Sequence, residues 1–311
     1  MHILVFGASG YIGGHAARAL VSAGHGVTVA VRQEAAAAAF RAAGMGTILG
    51  DARSMAYTPE FFAPFDGVLW AAQLMLEEEE AACSAMLRAL AKSGKAFIFT
   101  SGTSLISQPT NGEWSEDSFS EYDDFLPRRQ VAPRRAIETM VRVAAHYGVR
   151  AMVVRPPLIW GHGGCRIVED LYHSARKTGA VCYVGNGLNL YTHVHVDDLS
   201  ALYALAFEKG VAGALYHLAA GEVNFRTMAE TIARHLGISA RSVTIEEAAD
   251  IWDPFMGPIV FSGCSRTRAP RSRMELGWRA SADKRDLLEE CVVPSYALAQ
   301  DRAPPSWVRK S

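Results

Sequence analysis

The sequence predicts an α/β protein with a doubly wound parallel sheet and a smaller lobe at its C-terminal end. Three observations support this fold class. Short apolar runs alternate with segments of helical period through the first half of the chain. A glycine-rich turn follows the first apolar run, and the alternation becomes less regular after Pro156 and Pro157. This order is typical of parallel strands joined by helical crossovers, with a lobe added at the end.

The composition is that of a chain that can bury a full core. Of the 311 residues, 50% are hydrophobic and 20% are charged, with 31 basic and 32 acidic residues and a formal net charge of -1. This balance gives no sign of a nucleic-acid or membrane surface. The cysteines are scattered without metal-ligand spacing, and the chain starts in a strand rather than a signal peptide. We therefore expect a cytoplasmic protein with reduced thiols.

The first element is a strand over residues 3–6, whose apolar residues show no polar alternation. Such a run is typical of a strand buried on both faces. Gly7, Gly10 and Gly13 follow it in G-x-x-G-x-x-G spacing, and a helical pattern begins behind them. A dinucleotide pyrophosphate needs this turn, because side chains at the glycines would keep the backbone and the helix N-terminus away from it. The turn predicts a nucleotide site; a tight strand-to-helix turn without a ligand is the alternative.

The remaining strands and helices of the sheet domain alternate along the chain. Apolar runs predict strands over residues 27–31, 47–49, 67–71, 95–100 and 150–155, and helical periodicity predicts helices over 34–43, 77–92 and 132–147. A polar, irregular stretch over 106–129 is typical of a loop that shapes a site. We assign residues 1–160 mainly to a nucleotide-binding domain and residues 161–311 mainly to the smaller lobe, interleaved with the first domain as one unit.

Motifs in the sequence point to a family. In chain order they are GASGYIG at 7–13, Gly50-Asp51, TSGTSLI at 100–106, VVRPPLIWG at 153–161 and VHVDDL at 194–199. Together they resemble the extended short-chain dehydrogenases/reductases, the group of NAD(P)-dependent nucleotide-sugar epimerases and dehydratases. The resemblance runs from Met1 to about Trp278. It implies a Rossmann-like sheet with a C-terminal substrate lobe, a small-molecule substrate and, by analogy with relatives, a homodimer.

The resemblance also implies which residues bind the cofactor. By position they are Gly7, Ser9, Gly10, Tyr11, Ile12 and Gly13 at the pyrophosphate turn, Asp51 beside the adenine, Ala71, Ala72 and Gln73 against the ribose, and Pro156, Pro157 and Leu158 at the nicotinamide, with Thr100, Ser101 and Arg134 completing the set. Arg32 stands directly after the second strand, where NAD enzymes of this kind keep an acidic residue for the ribose hydroxyls. A guanidinium there suits a 2′-phosphate, because it offers a planar, permanently charged fork. We therefore predict NADP in preference to NAD.

The sequence departs from the family at its Tyr-x-x-x-Lys pair, in which the tyrosine is the acid and the lysine lowers its pKa. Alignment on residues 136–138 places Gln130 at the tyrosine position and Arg134 at the lysine position. Glutamine has no ionisable proton, and arginine stays protonated and is a poor proton donor. The family's hydroxyl position falls at Gly102, which Thr103 follows. The predicted catalytic set is Thr103, Gln130, Arg134 and Tyr122.

Three functions remain open from the sequence. The first is an atypical NADP(H)-dependent reductase or dehydrogenase, whose proton comes from Tyr122, a histidine, water or the substrate. The second is non-redox cyclisation, elimination or isomerisation, with Arg134 polarising a carbonyl group. The third is a catalytically silent NADP-sensing regulator. The lobe lacks an arginine pair for a sugar-nucleotide diphosphate, which favours a smaller, more apolar carbonyl or imine substrate under the first hypothesis.

Two histidines, His193 and His195, share one face of a predicted strand and could form a metal pair or a proton shuttle. The sequence shows no third ligand near them, so we expect no metal site. Asp197 and Asp198 come directly before an apolar helix, and we expect them to cap its N-terminus and to supply negative charge in its first turn.

Overall fold

The computed structural model describes residues 1–284 and 286–298. Residues 285 and 299–311, which belong to the predicted lobe, lie outside the described residues. The strands are β1 (His2–Phe6), β2 (Gly26–Val31), β3 (Gly46–Leu49), β4 (Gly67–Trp70), β5 (Ala96–Thr100), β6 (Arg150–Arg155), β7 (Leu158–Trp160), β8 (Val181–Val184), β9 (Leu190–His195), β10 (Leu215–His217), β11 (Gly221–Asn224) and β12 (Ala240–Val243).

The helices complete the layers around these strands. They are α1 (Tyr11–Ser22), α2 (Glu34–Ala42), α3 (Pro59–Phe62), α4 (Leu76–Ala89), α5 (Ala132–Val143), α6 (Arg166–Thr178), α7 (Val196–Lys209), α8 (Phe225–Leu236), α9 (Ile245–Ile251), α10 (Pro270–Glu275), α11 (Leu287–Glu290) and α12 (Pro294–Leu298). Short 3-10 turns cover Thr103–Ile106 and Ala144–Tyr147, and a π-helical segment covers Met256–Phe261. In the two described ranges, none of these helices combines the length and the apolarity that membrane crossing requires.

A seven-stranded parallel sheet forms the centre of the molecule, in the order β10-β6-β5-β4-β1-β2-β3. The chain starts in the middle, builds outward through β2 and β3, and then returns to add β4, β5 and β6 on the other side. This reversal of direction is the mark of a doubly wound sheet. The predicted Rossmann-like α/β fold is therefore confirmed. The edge strand β10, from the second half of the chain, pairs in parallel with β6.

Burial of β1 on both faces explains its continuous apolar sequence. Ile3 and Val5 are fully buried in the core that contains residues of α1 and α7, whereas Leu4 and Phe6 lie in the core that contains residues of α4 and α5. Alternate residues of a strand point to opposite faces of the sheet, so helices on both faces require apolar side chains at every position. The carboxyl end of β1 thus opens between two helical layers, which positions the glycine turn.

The second half of the chain adds two small sheets, β11-β9-β7 and β12-β8, around a core of their own. The sequence did not predict β7, β11 or β12. Each has three or four residues, and such short strands depend on pairing with distant partners rather than on local pattern. The predicted loop over 106–129 is fastened to this region by isolated bridges from Gln108 to Cys264 and from Phe119 to Thr267.

Candidate active site

A cleft of about 960 Å³ opens at the carboxyl ends of the parallel strands. One wall comes from the segments that follow β1, β2, β4, β5 and β6, and the other comes from the lobe, through residues such as Arg166, Tyr191 and Met256. Ligands of open α/β sheets bind at this edge, where the order of the strands reverses. The cleft is therefore the candidate site.

The glycine turn forms the floor of the cleft beside β1. Gly7 has a φ of +82°, and its carbonyl accepts a hydrogen bond of 2.9 Å from the N–H of Gly10. A Cβ atom at Gly7 would collide with the backbone of Ala71, and one at Gly13 would collide with the backbone of Gly7. The turn therefore needs glycine for conformation at Gly7 and for close approach at both positions.

Among the residues that the structure describes, no side chain caps the N-terminus of α1. Its N-cap is Gly10, which offers no side-chain hydrogen bond, and no acidic residue lies in the first turn. By contrast, Asn224 and Thr244 cap α8 and α9 with their side chains. Unsatisfied N–H groups and the positive end of the helix dipole attract an anion. The turn thus fits the pyrophosphate of a dinucleotide.

Most of the predicted cofactor-binding residues lie along the cleft. Those that line it are Gly7, Ser9, Gly10, Tyr11, Ile12, Arg32, Asp51, Ala71, Ala72, Gln73, Ser101, Pro156, Pro157 and Leu158. Gly13, Thr100 and Arg134 are not among the lining residues. Gly13 packs under the turn, and the buried Thr100 hydroxyl pairs with the Tyr203 hydroxyl at 2.8 Å. The binding roles of all these residues stay predictions.

Arginines gather at the end of the cleft that adjoins β2. Arg32 and Arg53 both line this end, together with Asp51 and Glu78. The Nε atom of Arg53 donates to Asp51 Oδ1 at 3.0 Å, and its Nη1 atom lies 3.6 Å from Glu78 Oε1. Hydrogen bonds from Arg53 lower the pKa of Asp51 to about 2, and the charge of Arg32 adds to this effect. Arg53 was not predicted as a site residue, although a basic residue two positions after Asp51 is visible in the sequence.

The Arg134 side chain is held by an ion pair rather than placed on the cleft wall. Its Nη1 atom donates to Glu79 Oε2 at 2.8 Å, and its Nη2 atom donates to the carbonyl of Thr100 at 3.1 Å. Glu79 is fully buried and also accepts from the indole N–H of Trp70 at 2.9 Å. Burial raises the pKa of Glu79, and the charge of Arg134 and the hydrogen bond from Trp70 partly offset this rise. The guanidinium therefore compensates a buried carboxylate.

The other predicted catalytic residues occupy different environments. Gln130 is exposed just before α5, and Tyr122 is 60% exposed, with the guanidinium of Arg271 5.9 Å from its ring centre. Neither residue lines the cleft. Thr103 does line it: its N–H donates to the Pro156 carbonyl at 3.2 Å, and its own carbonyl accepts from the Ser265 hydroxyl at 3.0 Å. Thr103 is therefore fixed in the cleft wall, and the catalytic roles stay predictions.

The histidines that the sequence singled out have structural partners. His193 accepts a hydrogen bond of 3.0 Å from the indole N–H of Trp160. His195 is the N-cap of α7 and accepts from the N–H of Asp197 at 3.2 Å, so the expected cap by the aspartates is wrong. Both aspartates do lie in the first turn of α7, as expected for the helix dipole.

A different group, formed by His15, His162 and Asp197, has ligand atoms within 4.8 Å of one another. The Asp197 carboxylate already accepts from His162 Nε2 at 3.0 Å and from Lys284 Nζ at 3.3 Å. These contacts satisfy its charge, so we interpret the group as a network that joins the loop after β7 to α1 and α7. That no metal binds stays a prediction.

The lobe end of the cleft is mainly apolar. Its hydrophobic lining residues are Leu158, Ile159, Ile167, Met256 and Val260. Tyr191 also lines this end, and its side chain is buried. Burial raises the pKa of this phenol to about 12. The sequence could not identify this wall, because its residues come from four separate segments of the chain.

A family model for the NAD-dependent epimerase/dehydratase family matches residues 3–219. An uncharacterized protein of Schizosaccharomyces pombe is 33% identical over 291 residues, which cover 90% of this chain and 95% of that protein. The 2-alkyl-3-oxoalkanoate reductase of Stenotrophomonas maltophilia is 25% identical over 241 residues, 71% of each chain.

Solved structures share the fold. The UDP-glucuronic acid 4-epimerase of Bacillus cereus, crystallised with UDP-glucuronic acid and NAD, has a TM-score of 0.74. The alignment covers 96% of this chain and 99% of the epimerase at 14% identity. At that identity the likeness is one of fold alone. Together with the family model, it confirms the resemblance that the motifs indicated.

Proposed function

Because the chain belongs to the NAD-dependent epimerase/dehydratase family, we propose that it is an NADP(H)-dependent oxidoreductase that acts on a small carbonyl or imine compound. One observation carries the proposal. A single cleft joins the glycine turn and Arg32 at one end to an apolar wall at the other. Thr103 is one of the residues that line this cleft. This arrangement can hold a dinucleotide beside an apolar substrate.

The preference for the phosphorylated cofactor rests on charge. Arg32 and Arg53 line the same end of the cleft, and the carboxylate of Asp51 is already hydrogen-bonded to Arg53. A carboxylate that is occupied in this way is poorly placed to accept from ribose hydroxyls, whereas an arginine suits a 2′-phosphate. The structural relative described above contains NAD, so the proposal of NADP depends on these residues of this chain.

The bound nicotinamide would supply or accept the hydride. For the chain itself, the Thr103 hydroxyl is the group that we propose to donate a hydrogen bond to the carbonyl oxygen of the substrate. Arg134 is bound to Glu79 and Gln130 is exposed, so the proton would come from water that enters the open cleft. A hydrogen bond to the carbonyl oxygen stabilises the negative charge that develops there, so the site does not need an acidic side chain as the proton donor.

The apolar wall supports a small hydrophobic substrate. Ile159, Ile167 and Met256 would contact its hydrocarbon part and exclude water from it. A relative named 2-alkyl-3-oxoalkanoate reductase is consistent with a carbonyl compound of this type.

The proposal is tested by two measurements on the purified protein. Fluorescence titration should show that NADPH binds more tightly than NADH. A panel of apolar ketones, oxo acids and cyclic imines should then include compounds that cause NADPH oxidation. Conversion of a compound without any change in NADPH absorbance would instead support the non-redox hypothesis, and cofactor binding without any conversion would support the regulator.

Thr103→Val is expected to lower kcat for a carbonyl substrate by about 100-fold or more, because it removes the donor that stabilises negative charge on the substrate oxygen. Thr103→Ser keeps a hydroxyl and should retain most of the activity. Thr139→Val, which removes a hydroxyl from the exposed face of α5, is the matched control. Unchanged kcat in Thr103→Val would remove Thr103 from the mechanism.

A further inference from the structure

Arg166 is the one charged side chain at the lobe end of the cleft, among the lining residues that the structure describes. The acidic residues that line the cleft, Asp51 and Glu78, interact with Arg53 at the opposite end. The other residues that line the cleft from the lobe include the apolar Ile167, Met256 and Val260. A cation beside such a wall needs a paired anion, and Asp170 of the same helix supplies one.

The contacts of Arg166 leave part of its guanidinium available. Its Nε atom donates to both carboxylate oxygens of Asp170, each at 2.8 Å, one helical turn further along α6. Within the described part of the chain, no hydrogen bond from its two Nη atoms is found, and the side chain is 33% exposed. The Asp170 carboxylate is mostly buried and anchors the Nε side. The edge formed by the Nη atoms can therefore bind a second, external acceptor.

We propose that Arg166 binds a carboxylate of the substrate, and that the substrates are oxo acids with an apolar chain. This inference rests on the proposed oxidoreductase function. The planar fork of arginine matches a carboxylate with two parallel hydrogen bonds. A sugar-nucleotide diphosphate carries more negative charge than one arginine at this end can compensate. The apolar wall would hold the hydrocarbon chain between the carboxylate at Arg166 and the carbonyl at Thr103.

The proposed reaction would reduce an oxo acid to a hydroxy acid. The carbonyl carbon would gain a hydride from the reduced nicotinamide cofactor, and the electron pair of the C=O π bond would move to the oxygen. That oxygen would take a proton from water, which gives a hydroxy acid, hydroxide and the oxidised cofactor. The carboxylate would remain unchanged throughout, so its only role is to orient the substrate.

The kinetic test compares positional isomers of oxooctanoate with their methyl esters. The wild-type protein should prefer at least one acid over its ester, by about 10- to 100-fold in kcat/KM. Arg166→Met should lose this preference, because kcat/KM should fall for the acid and change little for the ester. Arg166→Lys should keep part of it, since it retains the charge but not the fork. Equal rates for acid and ester in the wild type would overturn the inference.

A binding test separates this inference from the proposed function. Calorimetric titration of the NADP⁺ complex with octanoate should show binding to the wild type and about 10- to 100-fold weaker binding to Arg166→Met. Octanol, which lacks the charge, should bind both proteins alike. Octanoate binding, combined with no NADPH oxidation by any ketone, oxo acid or imine of the panel, would support the carboxylate site while contradicting the oxidoreductase. Octanoate that binds no better than octanol would refute the carboxylate site, whatever the enzyme does.

Controls keep the result interpretable if one variant folds poorly. Arg166→Met leaves Asp170 buried without its partner, so the double variant Arg166→Met/Asp170→Leu removes both charges together. Lys177→Met changes an exposed cation on the same helix that does not line the cleft. Carboxylate preference should vanish in the double variant and persist in Lys177→Met; the opposite pattern would place the anion elsewhere.

Discussion

Arg134→Met is expected to lower the free energy of unfolding by about 3–5 kcal/mol, because it leaves the buried Glu79 carboxylate without its ion-pair partner. The arginine and the glutamate are 23% and 0% exposed, and no other cation contacts this carboxylate in the described ranges. Without Arg134, the pKa of Glu79 in the folded state rises further above its value in the unfolded state. A carboxyl group whose pKa is raised in the folded state destabilises that state at pH values above its unfolded-state pKa. The decrease in the free energy of unfolding should therefore be larger at about pH 8 than at about pH 5.

Urea unfolding followed by far-UV circular dichroism measures this effect. The matched control is Arg135→Met, the next residue along α5, whose exposed guanidinium contacts the carbonyl and the ring of Phe125. This control should change stability by less than about 1 kcal/mol. If Arg134→Met unfolds like the wild type but no longer oxidises NADPH, Arg134 has the catalytic role that its motif position implies.

Arg32→Ala is expected to weaken NADPH binding by about 10- to 100-fold and to change NADH binding by less than about threefold. The difference arises because only NADPH carries the 2′-phosphate that would accept charge-assisted hydrogen bonds from this guanidinium. Fluorescence titration of each cofactor with wild type and variant gives both ratios directly.

Two further variants sharpen the cofactor test. Arg41→Ala removes an exposed arginine on α2 that pairs with Glu34 outside the cleft, and it should leave both affinities unchanged. Arg53→Ala removes the second arginine of the same cleft end and should also reduce NADPH affinity more than NADH affinity. Equal losses of NADPH and NADH binding in Arg32→Ala would rule out the 2′-phosphate assignment.

The sheet was predictable because its strands are buried on both faces. Nearly every residue of β1, β4 and β5 is buried, and burial on both faces of the sheet requires nearly continuous apolar runs, which the sequence shows directly. The helices between them carry their own 3.6-residue periodicity. The strands β7, β11 and β12 gave no such signal, since they pair with partners far away in the chain and are only three or four residues long.

The candidate site divides in the same way. The end with the glycine turn was predictable, because Gly7 and Arg32 directly follow strands that the apolar runs already placed. The lobe end was not, because Arg166, Tyr191 and Met256 meet only through the packing of distant segments. The Glu79 partner of Arg134 was also hidden: the two residues are 55 positions apart and sit on different helices.

The sequence by itself determined the parallel α/β architecture, the glycine turn and the position of an arginine after the second strand. Each of these depends on neighbouring residues, through strand burial, backbone conformation or the start of a helix. Only the tertiary structure decided that Arg134 pairs with a buried carboxylate, that Gln130 and Tyr122 lie off the cleft, and that Arg166 stands in an apolar wall. Those outcomes depend on which side chains from remote segments share one space, and local sequence does not encode that proximity.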